Sequence, residues 1–348
     1  IGYRQSLFGY NSLKWDKRIE PVRYQEAKKS YVETLELVSA NAINKFFALA
    51  TAQSNYDIAS FNYANADTLY RYAQGRYNIG TITENEMLQL ELNRLTEETN
   101  RMNARIEMDN CMQELRSYLG IQEEREIRVR VSSRIPDFSI NLNEALALAY
   151  ENSPDIQTMK RRKLESESAV ARARANAGLK ADIYLRFGLT QTADKLPEAY
   201  RNLLDQQYVS LSISLPILDW GRGKGQVRVA RSNRDLVYTQ VEQNRTDFEL
   251  NVRKLVKQFN LQTQRVRIAA RTDETAQRRN EVARKLYILG KSTILDLNAS
   301  ISEKDSARRN YVSALYNYWS LYYTLRSMTL YDFESNKLLT EDYNLLIE

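Results

Sequence analysis

The sequence predicts a mainly α fold with a small β part: long coiled-coil helical hairpins carrying a few membrane-type β-strands. Three observations predict it. Apolar residues recur at alternating steps of three and four along two long stretches, the signature of helices packed as coiled coils. Glycine and proline are scarce, 11 and 5 in 348 residues, which favours helices without interruption. Two segments alternate strictly, one apolar face against a polar one, as strands between lipid and an aqueous lumen do.

Composition removes several function classes. Fifty Lys and Arg against 44 Asp and Glu give a net charge of +6, too diffuse for a nucleic-acid binder. Histidine is absent, which removes His-based triads and the commonest general base. A single cysteine, Cys111, excludes an intrachain disulfide and a cysteine-cluster metal site. No Gly-x-x-x-x-Gly-Lys-Ser/Thr loop is present, so nothing implies nucleotide, and no cofactor or metal is expected. No apolar run reaches 18 residues, so no transmembrane helix is expected, whereas barrel strands escape such a scan. The chain opens on Ile1 without Met or a signal peptide and reads as a truncated or mature piece.

In chain order, Ile1 to Phe8 is expected to be a strand, with Ile1, Tyr3 and Leu7 on one face. A helix runs from about Pro21 to Tyr77 on the stripe Val32, Leu35, Ser39, Ala42, Phe46 and Leu49. Gly80 ends it and Thr83 caps a returning helix over about 84–120. The segment Glu124 to Pro136 reads as an extended linker, and a single helix follows over Leu142 to Ala177. Two strands come next. Ile183, Leu185, Phe187 and Leu189 form one apolar face; Val209, Leu211, Ile213, Leu215 and Ile217 form the other, opposite serines, with a polar loop 191–207 between. The second long helix runs from about Gly225 to Tyr287 on Val252, Val256, Phe259, Thr263, Val266 and Ala270, and Gly290 and Thr293 repeat the turn before a helix over 294–328. Each long helix would rise roughly 85–100 Å at 1.5 Å per residue.

Shifted by 210 residues, the chain matches itself without a gap. Ala73, Tyr77, Gly80 and Thr83 fall on Ala283, Tyr287, Gly290 and Thr293; Leu115-Arg116-Ser117 falls on Leu325-Arg326-Ser327; and Glu86 meets Asp296. The expected division is therefore 1–123 as the second half of a first repeat, 124–141 as a linker, 142–335 as a second repeat and 336–348 as a tail.

The strand-to-helix corner Leu215-Pro216-Ile217-Leu218-Asp219-Trp220-Gly221-Arg222 and the turn Tyr287-Ile288-Leu289-Gly290-Lys291-Ser292-Thr293-Ile294-Leu295-Asp296-Leu297 carry a resemblance. So do Ala307-Arg308-Arg309-Asn310-Tyr311 and the first-copy counterparts Leu7-Phe8-Gly9-Tyr10-Asn11 and Arg76 through Glu86. Together, in this order, they resemble the outer-membrane efflux protein family, the TolC-like channels of Gram-negative bacteria. The resemblance implies a homotrimer whose 12-stranded barrel continues into a periplasmic α-helical tunnel (an α-barrel). It implies two partners, a periplasmic adaptor protein and an inner-membrane transporter, and residence in outer-membrane lipid with most of the mass in the periplasm. With three strands visible and four per chain implied, one strand is expected to be missing, and an open edge cannot sit in lipid.

By position, the resemblance makes Ile79, Gly80, Thr81, Leu289, Gly290 and Lys291 the adaptor-contact tips and Glu86, Tyr287 and Asp296 the gate candidates. Three copies of Asp296 would form an acidic ring; a basic link partner of some members is Ser292 here, and a second ring position is Ala299. The plain alternatives are an ordinary helix cap for each glycine and a solvated first-turn acid for Glu86 and Asp296. Lys160-Arg161-Arg162-Lys163 is expected to be a solvated helix face, Cys111 a small buried filler, and Tyr311, Tyr316, Tyr318, Trp319, Tyr322 and Tyr323 bundle core. Tyr184, Tyr208 and Trp220 suit an interfacial girdle or simple packing. The reading is an efflux conduit and not an enzyme; its alternative, a soluble coiled-coil scaffold or tether, leaves the amphipathic strands without a use.

Overall fold

A computed structural model of the chain describes residues 2–123, 125–132, 135–192, 203–289 and 291–339. The elements in order are β1 (Gly2–Ser6), α1 (Ser12–Asn78), α2 (Glu84–Tyr118), α3 (Leu142–Asn152), α4 (Pro154–Ala177), β2 (Lys180–Thr190) and β3 (Leu204–Ser214). Then follow α5 (Arg222–Ile288), α6 (Ile294–Thr329), β4 (Tyr331–Asp332) and β5 (Lys337–Leu338). Both long helices have 67 residues, α1 starting at Ser12 and α5 at Arg222. Ile1, Gly290, most of the 191–207 loop and the end of the tail lie outside the described residues. Among the described residues no helix is long and apolar enough to cross a membrane.

Four expectations change. Helix α1 starts at Ser12 and not near Pro21, which lies inside it. A proline there removes one backbone bond, but buried Ile19 and the pairing of Glu26 hold the helix on both sides of it. The single helix over Leu142 to Ala177 is two, broken at Ser153, whose hydroxyl accepts from the Asp155 N–H while Pro154 occupies the first turn. Proline disfavours a helical conformation in the residue before it, so the helix stops and a new one starts. The third strand ends at Ser214, leaving Leu215 and Ile217 outside the ladder. Finally, a two-stranded hairpin, β4 with β5, occupies the end of the second repeat and the start of the expected tail.

The chain packs as two compact units, residues 1–31 with 151–250 and residues 32–150 with 251–348, each drawing on both halves of the sequence. The first unit holds an antiparallel sheet in the order β1-β2-β3. Its register stacks the apolar residues: Ala181 faces Ile213, Ile183 faces Leu211, and Leu185 lies between Val209 and Tyr3. The opposite face pairs Asp182 with Ser212 and Tyr184 with Ser210, and Arg4 reaches Asp182 at 3.7 Å. Val209, Leu211 and Ile213 are 69, 60 and 65% exposed, so the apolar face along β3 has no cover among the described residues, while on β2 Ala181 is buried and Ile183 and Leu185 are half-buried. Among the described residues the sheet does not close on itself, and one chain does not make a barrel.

Below the sheet, α1 and α4 are joined by charge. Arg161 donates to Glu26 at 2.5 and 2.9 Å and to Glu165 at 3.0 Å, while Thr158 donates to Glu26 at 2.9 Å. The Arg161 guanidinium and the Thr158 hydroxyl hold the Glu26 carboxyl below its ordinary range against the effect of burial. The 160–163 basic run is therefore not simply a solvated face: Arg161 fastens one helix to another, and Lys163 lies over the Tyr238 ring.

In the second unit the stripe of α5 is buried from Val252 through Val266, with Val252 and Phe259 wholly inside, whereas in the stripe of α1 only Val32 and Leu49 are buried and Leu35, Ser39, Ala42 and Phe46 are half-buried. The tyrosines find two homes. In the first hairpin Tyr56, Tyr63 and Tyr70, one heptad apart, take Arg105, Arg101 and Arg94 of the returning helix over their rings. In the second, Tyr318 and Tyr322 are core, stacked near Phe259 and Phe138, and Tyr318 donates to the Pro136 carbonyl. Burial pushes both phenols well above the ordinary tyrosine value. The described part of the 124–136 linker is extended but held: Gln53 donates to the Ile127 carbonyl and accepts from the Val129 N–H, as a neighbouring strand would. Ile127 and Val129 pack on Leu49, Ala52, Met108 and Leu115, with half-buried Cys111 beside them.

Candidate functional site

The two hairpin turns are built by local backbone chemistry. At the first, Gly80 takes φ +72°, its N–H donating to the Tyr77 carbonyl (2.8 Å) and the Thr81 N–H to the Arg76 carbonyl (2.9 Å). These two bonds satisfy carbonyls that a helix end leaves unpaired, and the left-handed residue they need is glycine. At the second, the Lys291 N–H donates to Leu286 O at 2.9 Å, the equivalent outer bond, around Gly290, which lies outside the described residues. A third turn of the same kind, not foreseen, ends α2 at Gly120, with φ +69°.

Each returning helix then starts on a capping box. Thr83 accepts from the Glu86 N–H and Glu86 accepts from the Thr83 N–H at 2.9 Å. Thr293 and Asp296 do the same, and Asp296 also accepts from the hydroxyls of Thr293 (2.7 Å) and Ser292 (3.2 Å). Those donors, the Thr293 hydroxyl first, hold the exposed Asp296 carboxyl below its ordinary range, so it stays charged at any pH above the usual carboxylate value. Both gate candidates therefore serve as caps as well as exposed charges.

The third candidate, Tyr287, sits apart from Asp296. It lines a cleft of about 200 Å³ with Asn65, Tyr72, Asn280, Arg284 and Leu297. Burial raises its phenol, Arg76 opposes this, and Tyr72 and Glu86 add to it. Tyr72, with the Arg76 guanidinium over its ring, was not foreseen, because its place depends on packing between hairpins that no local window displays. The tips themselves are exposed: Ile79 is 74% and Leu289 67% exposed, Lys291 is exposed, and exposed Thr81 turns its hydroxyl back to donate to the Arg76 carbonyl at 2.9 Å.

One local prediction follows. Gly80→Val puts a β-branched side chain at positive φ, and should cost about 1–2 kcal/mol in the first hairpin. Amide exchange should speed up near residues 76–86 and remain unchanged around the second tip. Open space surrounds the position, so a slower exchange would refute the backbone argument.

One chain thus joins a sheet with an exposed apolar face to helical hairpins that turn at glycines. The match to protein families is specific. Residues 145–329, more than half the chain, match the outer membrane efflux protein family, and the chain belongs to it. Its fold resembles the CmeC outer membrane channel of Campylobacter jejuni, at TM-score 0.78 and 16% identity, covering 99% of this chain and 72% of that one. It also resembles VceC of Vibrio cholerae (TM-score 0.73, 16% identity, 94% of this chain and 78% of that one) and the outer-membrane channel OprN (0.74, 18%, 94% and 74%). No curated protein matches the sequence.

Proposed function

We propose that the protein is the outer-membrane channel component of a tripartite efflux pump, a passive duct opened at its periplasmic tip by an adaptor protein. The observation that carries this is the uncovered apolar face along β3 on the same chain as hairpins whose tips expose Ile79 and Leu289. Lipid accounts for the first surface, and a helical partner for the second. Three copies supply the barrel and a helical tunnel that holds most of the mass in the periplasm; an inner-membrane transporter supplies the energy. The equal 67-residue lengths of α1 and α5, starting 210 residues apart, support a duplicated unit with linker 124–141 and tail 336–348. Opening is a shift between two packings of the hairpins, with Glu86 and Tyr287 on the closed side and Asp296 as a charge ring at the constriction.

Single-channel conductance of the full-length chain in planar bilayers tests this. Asp296→Asn keeps an acceptor for Thr293 while removing the charge; Asp296→Ala removes both. The expected result is a small, cation-preferring conductance whose preference falls by severalfold in both variants. A conductance unchanged by either removes the ring, and none at all from folded trimer removes the channel.

A further inference from the structure

We propose that the corners between sheet and helices in the first unit form a cationic, aromatic-edged belt that binds anionic phospholipid headgroups. This rests on the reading that the sheet spans the membrane. The three chain crossings leave the same end of the sheet: the Leu7 N–H donates to Ala181 O at 2.7 Å, and Lys180 faces Ser214. At that end large apolar side chains are exposed, three of them more than any other in the unit. Phe8 is 62% exposed, Ile217 86%, Leu218 81% and Trp220 94%.

The second corner is held rigidly while its largest side chain is turned outward. Asp219 accepts from the Gly221 N–H (3.0 Å) and the Gly223 N–H (2.8 Å). A Cβ on Gly223 would meet Asp219 Oδ2 at 2.7 Å and the Ala177 methyl at 3.0 Å, so the corner is seated against the end of α4. Trp220 takes φ +52°, a conformation that a bulky residue adopts only when its surroundings impose it, yet its ring touches nothing to repay it. A tryptophan at the end of an apolar sheet face, with no cover, suits the boundary between acyl chains and headgroups.

Charge then selects the lipid. Lys14 and Arg18 follow the first corner as Lys224 and Arg228 follow the second, each pair at positions 210 apart. Lys224, Arg228 and Arg231 recur at steps of four and three on one side of α5, and no acid lies between Trp220 and Arg234. Asp219 is occupied by its caps, and Arg222, Arg228 and Arg231 make no ion pair among the described residues. Arg18 meets Glu167 only at 3.7 Å with both side chains well exposed. A zwitterionic surface would satisfy Trp220 but offers phosphates already balanced by headgroup cations; the unbalanced phosphates of an anionic lipid match both.

The test uses the full-length chain in bilayers, with every tryptophan but Trp220 replaced by phenylalanine, Trp15→Phe and Trp319→Phe among them, so that Trp220 is the reporter. Brominated phosphatidylglycerol and brominated phosphatidylcholine are compared as quenchers at equal mole fraction, with conductance checked in the same preparation. Quenching by the anionic lipid should be stronger, since each cation enriches it up to about fivefold at low salt. The difference should vanish at high salt and in the Lys14→Gln, Lys224→Gln, Arg228→Gln variant. Equal quenching by both lipids overturns the anionic selectivity. No quenching by either, in a preparation that conducts, overturns the belt while the channel stands. Absence of both quenching and conductance from folded protein overturns the channel reading and the belt with it.

Discussion

Arg326→Met is expected to destabilise the second unit by about 3–5 kcal/mol, because it leaves a carboxylate buried without its partner. Arg326 donates one hydrogen bond to Glu36 at 3.0 Å, and its Nε approaches the second carboxylate oxygen to 2.9 Å as an ion pair, with side chains only 16 and 10% exposed. Asp332 lies 3.5 Å away on the other side, itself accepting from the Tyr322 hydroxyl, and the Tyr323 ring stacks 5.0 Å from the guanidinium. Burial works against the charge of Arg326, but Glu36 outweighs it, and its proton is held more tightly than usual. The thermal midpoint should fall by roughly 5–15 °C. Adding Glu36→Leu should recover most of the loss, since removing both ions also removes the cost of drying them.

No rescue by the double variant would show that packing of the Arg326 stem and not its charge is what matters.

What the sequence made legible was whatever is decided within a few residues. The tips were readable because a glycine at positive φ and a Thr with an acid three residues on are local chemistry, and Gly80, Thr83 and Asp296 hold those places. The stripes were readable because heptads state which face is buried. The break at Ser153-Pro154 was written in the sequence too, but an apolar period running on past it hid the stop. Other features depended on distant partners. Arg161 looked solvated because Glu26 lies 135 residues away, and Pro21 looked like a helix start because what holds α1 around it comes from packing. The β4–β5 hairpin is pinned by Tyr322 and Arg326 through Asp332, which no window of short turn residues reveals.

Leu211→Arg is expected to abolish insertion into the outer membrane, while Ser212→Arg, one residue on, is tolerated. The two differ only in face. Leu211 pairs with Ile183 in a row flanked by Val209–Leu185 and Ala181–Ile213, and is 60% exposed; Ser212 pairs with Asp182 on the polar side, beside Arg4. An arginine on the lipid face near the midplane costs about 2–4 kcal/mol per chain, and in the proposed trimer three copies would incur it together. On the lumen side the same side chain stays hydrated and finds Asp182 within reach. Fractionation of cells expressing the full-length chain should place the Ser212→Arg protein in the outer membrane and leave Leu211→Arg in the periplasm or degraded. The reverse pattern would mean that the serine face meets lipid. Equal insertion of both would mean that the sheet is not a membrane wall at all, and a soluble scaffold would then have to explain why three strands hold their apolar side chains in register against water.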